Sequence, residues 1–136
     1  MRRLGRRQDG QAHVEFAIVT PLLLMLVIGI VQFGIVFHDW ITLTDATRAG
    51  ARQAAVSRTL TDPVGITETR VRKSAAGLDS TKLAVTVIPY DPSNGTNTWA
   101  QGGEVTVTAT YPYSVNLLGI VVKGGNLKSQ TVERVE

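Results

Sequence analysis

The sequence predicts an α+β protein. A long N-terminal helix crosses a membrane with its lower half, and a small C-terminal head carries about three antiparallel strands plus a short helix. Three observations predict this. Phe16 to Phe37 form an uncharged, almost wholly apolar run. The next stretch, DWITLTDATRAGARQAAVSR, contains no proline and suits a continuing helix. Past Leu83 the apolar period changes to two, the period of a half-buried strand.

The apolar run comes first because it dominates the chain. Its 22 residues hold only two polar side chains, Thr20 and Gln32. At about 1.5 Å per residue it spans roughly 33 Å, enough for a hydrocarbon core of about 30 Å. A buried core helix is the alternative, but the remaining 114 residues can hardly cover such a helix on all sides. Arg2, Arg3, Arg6 and Arg7 precede the span, while Arg48 and Arg52 follow it more sparsely. The positive-inside rule therefore puts the N-terminus in the cytoplasm and the C-terminal part outside. Trp40 sits where an aromatic belt residue belongs. A cleaved secretory signal fits less well, since the run is long and no A-x-A site closes it.

Charge separates the same segments. The chain has 136 residues, 14 Lys+Arg and 11 Asp+Glu, a net +3. Four arginines and Asp9 put all of that +3 in the first ten residues. The remaining 10 basic and 10 acidic groups cancel, which argues against a basic surface for nucleic acid. The expected division is a basic leader over 1–10, a long helix over 11–58 with its transmembrane part at about 16–37, and an extracytoplasmic head over 59–136.

The other elements follow in order. Pro21 interrupts the apolar run, and membrane helices tolerate proline with a kink or local thinning. Above the membrane, Ala46, Gly50 and Ala54 recur at spacing four with Ala51 beside them. Such a small-residue stripe lets another backbone approach closely, though alanine also serves plain helix propensity. Asp62-Pro63 suits an N-cap and first turn, starting a helix that ends near Ala76–Gly77. Leu83–Pro89 reads as the first strand. Glu104–Tyr111 reads as the second, with Val105, Val107, Ala109 and Tyr111 on one face and threonines on the other. DPSNGTNTWAQGG between them is a turn-rich loop. Leu127–Val135 is a weaker third strand, and 114–126 reads as a short helix or loop on the membrane-proximal side. The sheet should pack on the upper part of the long helix.

The sequence does not point to an enzyme. Cysteine is absent, which excludes thiolate metal sites and a cysteine nucleophile. His13 and His38 would stand about 37 Å apart on one helix and cannot share a metal. No H-E-x-x-H, G-x-S-x-G or Walker pattern occurs. Gly102-Gly103 and Gly124-Gly125 do not open helices as phosphate cradles do. Asn94-Gly95-Thr96 fits a glycosylation sequon but reads better as a turn. No cofactor and no metal is expected.

The residues just before the apolar run are the most informative. A glutamate at the lip of a hydrophobic helix is unusual, because charge in hydrocarbon is expensive. Glu15 stands five residues after Gly10, which follows the basic leader. Its plain alternative role is to complement the positive end of the helix. The arrangement resembles the type IV prepilin cleavage pattern. That resemblance implies cleavage after Gly10 by a prepilin peptidase, leaving Gln11 as the new N-terminus. An α-amine there is charged at neutral pH and calls for a partner, which Glu15 can supply.

The resemblance narrows over residues 10–55. Gly10, Ala12, Val14, Glu15, Phe16 and Ala17 lead. Pro21 and Leu22, then Gly29, Ile30, Phe33 and Gly34, follow. Ala46, Arg48, Gly50, Ala51, Arg52 and Ala54 close the pattern. This run is similar to the TadE-like family, pseudopilins or minor pilins of tight-adherence (Flp) pili. Tyr111–Tyr113 and the closing T-x-x-R-V-E are also family-like. Gln32 departs from the pattern where many relatives carry glutamate, and His13 is less apolar than usual. The resemblance implies a pilin-like fold in a bacterial inner (cytoplasmic) membrane, single-pass, with possible incorporation in a surface pilus. Its implied partners are prepilin peptidase, other pilins or pseudopilins, the pilus assembly platform and membrane lipid, with no nucleic acid. The function expected is pilus assembly or a place at the pilus tip. The rival is an unprocessed signal-anchored protein with a ligand-binding head, and a third reading is a major pilin.

Overall fold

The computed structural model describes residues 5–117 and 119–136, with backbone alone over 5–9. Arg2 and Arg3 of the leader lie outside the described residues, as do the side chains of Arg6 and Arg7. Helix α1 spans Gly5–Ala55, 51 residues and roughly 77 Å. Helix α2 spans Pro63–Ser74. Strands β1 (Ala84–Tyr90), β2 (Glu104–Leu117) and β3 (Ile120–Arg134) form one antiparallel sheet in the order β1-β2-β3. The expected α+β architecture is therefore present: one long apolar helix, a short helix and a three-stranded sheet.

Helix α1 passes through Pro21 without a break in its helical assignment. It begins at Gly5, six residues before Gln11 and within the expected leader, and ends three before the expected Arg58. Tertiary contacts fix that end. Trp99 Nε1 donates to the Ala54 carbonyl at 3.2 Å, and the Glu136 backbone N–H donates to the Ala55 carbonyl at 3.0 Å. Ser57 Oγ donates to the Gln53 carbonyl at 2.6 Å. These bonds satisfy carbonyls that a helix C-terminus leaves without partners. Helix α2 starts as its residues require: Asp62 accepts from the Gly65 N–H at 2.9 Å, with Pro63 in the first turn.

The sheet lays one face on the helices. Val105, Val107 and Ala109 of β2 are fully buried, and Val85 and Val87 of β1 flank them on the same face. From the helices come Leu43, Ala46, Ala51, Ala54, Val71 and Ala75. The outer face of β2 carries Thr106, Thr108 and Thr110, as the alternation predicts.

Residues 114–126 correct the sequence reading. Residues 114–117 and 120–126 are strand rather than helix or loop, the distal half of a long β2–β3 hairpin. Pro112 does not end β2, because it falls past the last β1 pair at Thr110, where one edge of the strand is open. Gly124-Gly125 does not break β3, because Tyr113 pairs with Gly125 and lays its ring where a Cβ would be, 3.2 Å from the nearest ring carbon. Gly119, at φ +87°, makes the turn between Leu117 and Ile120, a conformation that costs glycine little. A register shift at Val115/Asn116 bulges the ribbon just above that turn.

Candidate functional site

Three groups of residues stand out along α1. The lowest surrounds Gly10. Gly10 lies in helical backbone on an exposed turn, and nothing stands within 4 Å of where its Cβ would be. One residue on, Gln11 Nε2 donates to Glu15 Oε1 at 3.0 Å. The two side chains are one turn apart, which is why they meet. Sequence reasoning paired Glu15 with a future amine at Gln11; the intact chain already bonds Glu15 to the Gln11 side chain. Both residues are exposed. Any enzyme acting here would meet open helix, weakest at Gly10, since glycine costs about 1 kcal/mol against alanine in helix.

The middle group is the apolar span. Within Gly10–Ala55 lies an 18-residue window of mean hydropathy 2.5, none of it buried within the protein. One apolar N-terminal helix of this kind fits a single-pass membrane protein. Phe16, Ile18, Leu22, Ile30 and Phe33 are each more than 60 % exposed. Bare apolar side chains at this density need lipid or other protein around them. Pro21 lacks the N–H that would bond the Ala17 carbonyl. Just before it, Thr20 Oγ1 donates to the Phe16 carbonyl at 2.7 Å, which satisfies the hydroxyl inside the apolar run. Gly34 faces open space, whereas at Gly29 the position a Cβ would take lies 4.0 Å from Leu117 Cδ2 of the hairpin. Phe33 lines a groove of about 260 Å³ with Val36, Phe37, Trp40 and Leu127. Phe37 and Trp40 meet there in a tilted ring pair, with centroids 5.9 Å apart and planes at 41°.

The upper group is the small-residue stripe. Ala46, Ala51 and Ala54 are fully buried, and Gly50 is buried with them. The backbone approach that the stripe permits is made within this chain. A Cβ on Gly50 would collide with Val71 Cγ2 of α2 and lie 3.6 Å from Val107 Cγ1 of β2. Thr47, beside the stripe, returns its hydroxyl to the Leu43 carbonyl at 2.7 Å, so its burial leaves no polar atom unpaired. Arg48 turns outward to Asp45 at 3.5 Å, an exposed pair of small energetic weight.

The rest of the head offers turns. Asn94 Oδ1 accepts from the Thr96 N–H at 3.0 Å and from Thr96 Oγ1 at 2.6 Å, so the sequon forms an Asx turn. Asp91 Oδ1 accepts from the Ser93 hydroxyl at 2.6 Å and the Ser93 N–H at 2.9 Å. Those bonds hold the Asp91 carboxyl below its ordinary pKa, and Thr81 does the same for Asp79. Trp99 and the hairpin are the functional-scale features that sequence reasoning missed. A tryptophan amid Asn, Thr and Gly was the one available hint, because its indole N–H needs a partner when buried.

Residues 10–52 match the TadE-like protein family, the family that the N-terminal residues resemble. The match begins at Gly10, runs through the apolar span and ends in the small-residue stripe. No curated protein and no solved structure matches the chain.

Proposed function

We propose, from this TadE-like segment, that the chain is a pseudopilin or minor pilin of a tight-adherence (type IV-like) pilus. It is held first in the bacterial inner membrane, with its N-terminus cytoplasmic and its head outside. A prepilin peptidase hydrolyses the Gly10–Gln11 bond, adding water to leave a carboxylate on Gly10 and an amine on Gln11. The new amine is protonated at neutral pH and lies within one turn of Glu15. The subunit then joins the pilus assembly platform and packs beside other pilins, acting in assembly or at the tip. It works by association and is not an enzyme.

One observation carries this reading: the two halves of α1 are treated in opposite ways. The upper half is consumed by its own head, through Leu43, Ala46, Gly50, Ala51 and Ala54. The lower half is bare along an apolar surface. A helix of that design suits lipid before assembly and neighbouring helices after it. The TadE-like match over residues 10–52 supports Tad-pilus related work by the same segment.

Intact-mass measurement of the membrane-extracted chain, co-expressed with a prepilin peptidase, tests processing. The expected species begins at Gln11, and Gly10→Ala retains the leader. A wild-type chain that keeps its first ten residues in the presence of active peptidase overturns the proposal.

A further inference from the structure

We propose that the tip of the β2–β3 hairpin enters the outer leaflet of the bilayer beside the helix, giving the head a second membrane contact. The inference rests on reading residues 16–37 as the span. Its first support is position. Leu117 Cδ2 approaches Gly29 to 4.0 Å from the Cβ site, and Gly29 lies eight residues, roughly 12 Å of helix, on the membrane side of Phe37. The head therefore does not stop at the upper limit of the apolar run.

The second support is surface chemistry. Ile120, Val121 and Val122 are 71 %, 63 % and 59 % exposed. A soluble hairpin turn is normally polar, and three adjacent bare β-branched residues have no role there. Val115 and Leu117 lie on the opposing strand, and Asn116 is the polar side chain among them. On the helix, Ile30 beside Gly29 and Phe33 one turn above it are bare as well, 64 % and 72 % exposed. The solvent that covers the helix at that height is the solvent that meets the tip.

The third support is a limit on depth. Lys123 follows Val122 directly and is exposed. It lies three residues from Ile120, about 10 Å of strand. With its ammonium at the phosphate level, only the tip can pass below it, and the long side chain extends that reach by snorkelling. The two lengths, about 12 Å from the helix and about 10 Å from the lysine, agree. Open strand edges cannot go deep, because unpaired N–H and C=O groups are costly in hydrocarbon. Insertion is thus shallow, with Ser114 and Gly124 held above it.

The chain has no cysteine, so single-cysteine reporters need no background removal. Full-length variants Val121→Cys and Ile120→Cys report on the tip, Leu24→Cys on the span and Thr86→Cys on the head. Each carries a nitroxide in phosphatidylethanolamine/phosphatidylglycerol vesicles, and collision with oxygen is compared with collision with an aqueous nickel chelate. The expected result is a several-fold preference for oxygen at both tip sites and at Leu24, and for the chelate at Thr86. If Leu24 prefers oxygen but the tip sites prefer the chelate, the hairpin stands in water and the inference fails alone. If Leu24 also prefers the chelate, the span reading fails and takes the inference with it. Tip sites shielded at low lipid but opened to the chelate by added lipid are covered by a second copy, which overturns lipid insertion.

Discussion

Gly50 lets two helices meet, because its missing Cβ leaves the room that Val71 fills. Gly50→Ala gains about 1 kcal/mol of helix propensity but forces a methyl into Val71 Cγ2. Overpacking of about 1–3 kcal/mol should win, lowering the thermal midpoint of the detergent-solubilised chain by several degrees. Adding Val71→Ala removes the colliding methyl. The double variant should then lose less than the two single losses summed, which a double-mutant cycle on denaturation midpoints would read. Trp99 gives a cleaner test. Trp99→Phe keeps most of the ring but drops the bond to the Ala54 carbonyl, at a cost of about 1 kcal/mol plus some packing. Wild-type stability in Trp99→Phe, with loss only in Trp99→Ala, would show that packing alone matters there. At this scale Gly10, Glu15 and the stripe stood out in the sequence because each breaks or repeats a simple rule. The partner of the stripe was not legible: small residues at spacing four announce a close approach without naming who approaches. The side-chain bond from Gln11 to Glu15 was equally hidden, although their spacing allowed it.

Among the elements, those with a clean period were readable and the one without it was not. Strand β2 was legible from Val105, Val107 and Ala109 alternating with threonines, and α2 from Asp62-Pro63. The distal hairpin was not, because Pro112 and Gly124-Gly125 read as breakers. Both are tolerated for reasons only the pairing reveals: an open edge beside Pro112 and a tyrosine ring over Gly125. Tyr113→Ala should therefore loosen the distal ribbon while the proximal sheet stays folded. Amide exchange should quicken at Tyr113–Lys123 and stay slow at Val105–Ala109; uniform quickening would contradict this division. The connecting turns have their own pH signature. Asp79 and Asp91 bind their protons more weakly in the folded chain than the ordinary carboxyl value of 3.8. Stability from them is present above that value and is lost as pH falls through the lower folded values. The thermal midpoint should hold level from pH 7 to about 5 and decline below about 4. Asp79→Asn with Asp91→Asn should flatten part of that decline, and an unchanged slope would assign it to other carboxylates.

For the whole molecule, the division of labour along one helix organises everything else. The N-terminal arginines account for the chain's net +3, and from Gln11 onward side-chain charges balance. Basicity therefore belongs to the N-terminal segment, which in the proposed function orients insertion, and the balanced remainder suits packing against protein and lipid. The head is small, with a core largely of alanine and valine. Its attachment to α1 through Gly50 and Trp99 makes helix and head one lever. In the proposed function, packing of the lower helix against its neighbours is transmitted directly to the position of the head. The most direct test replaces the bare face of residues 16–37 with unrelated apolar residues of equal length. Gly29, Phe33, Val36 and Phe37 are kept, so that the hairpin and groove contacts survive. Pilus assembly is then measured in cells lacking the wild-type chain. The account predicts a membrane-inserted, folded protein that no longer supports assembly; full assembly on the unrelated helix would contradict it.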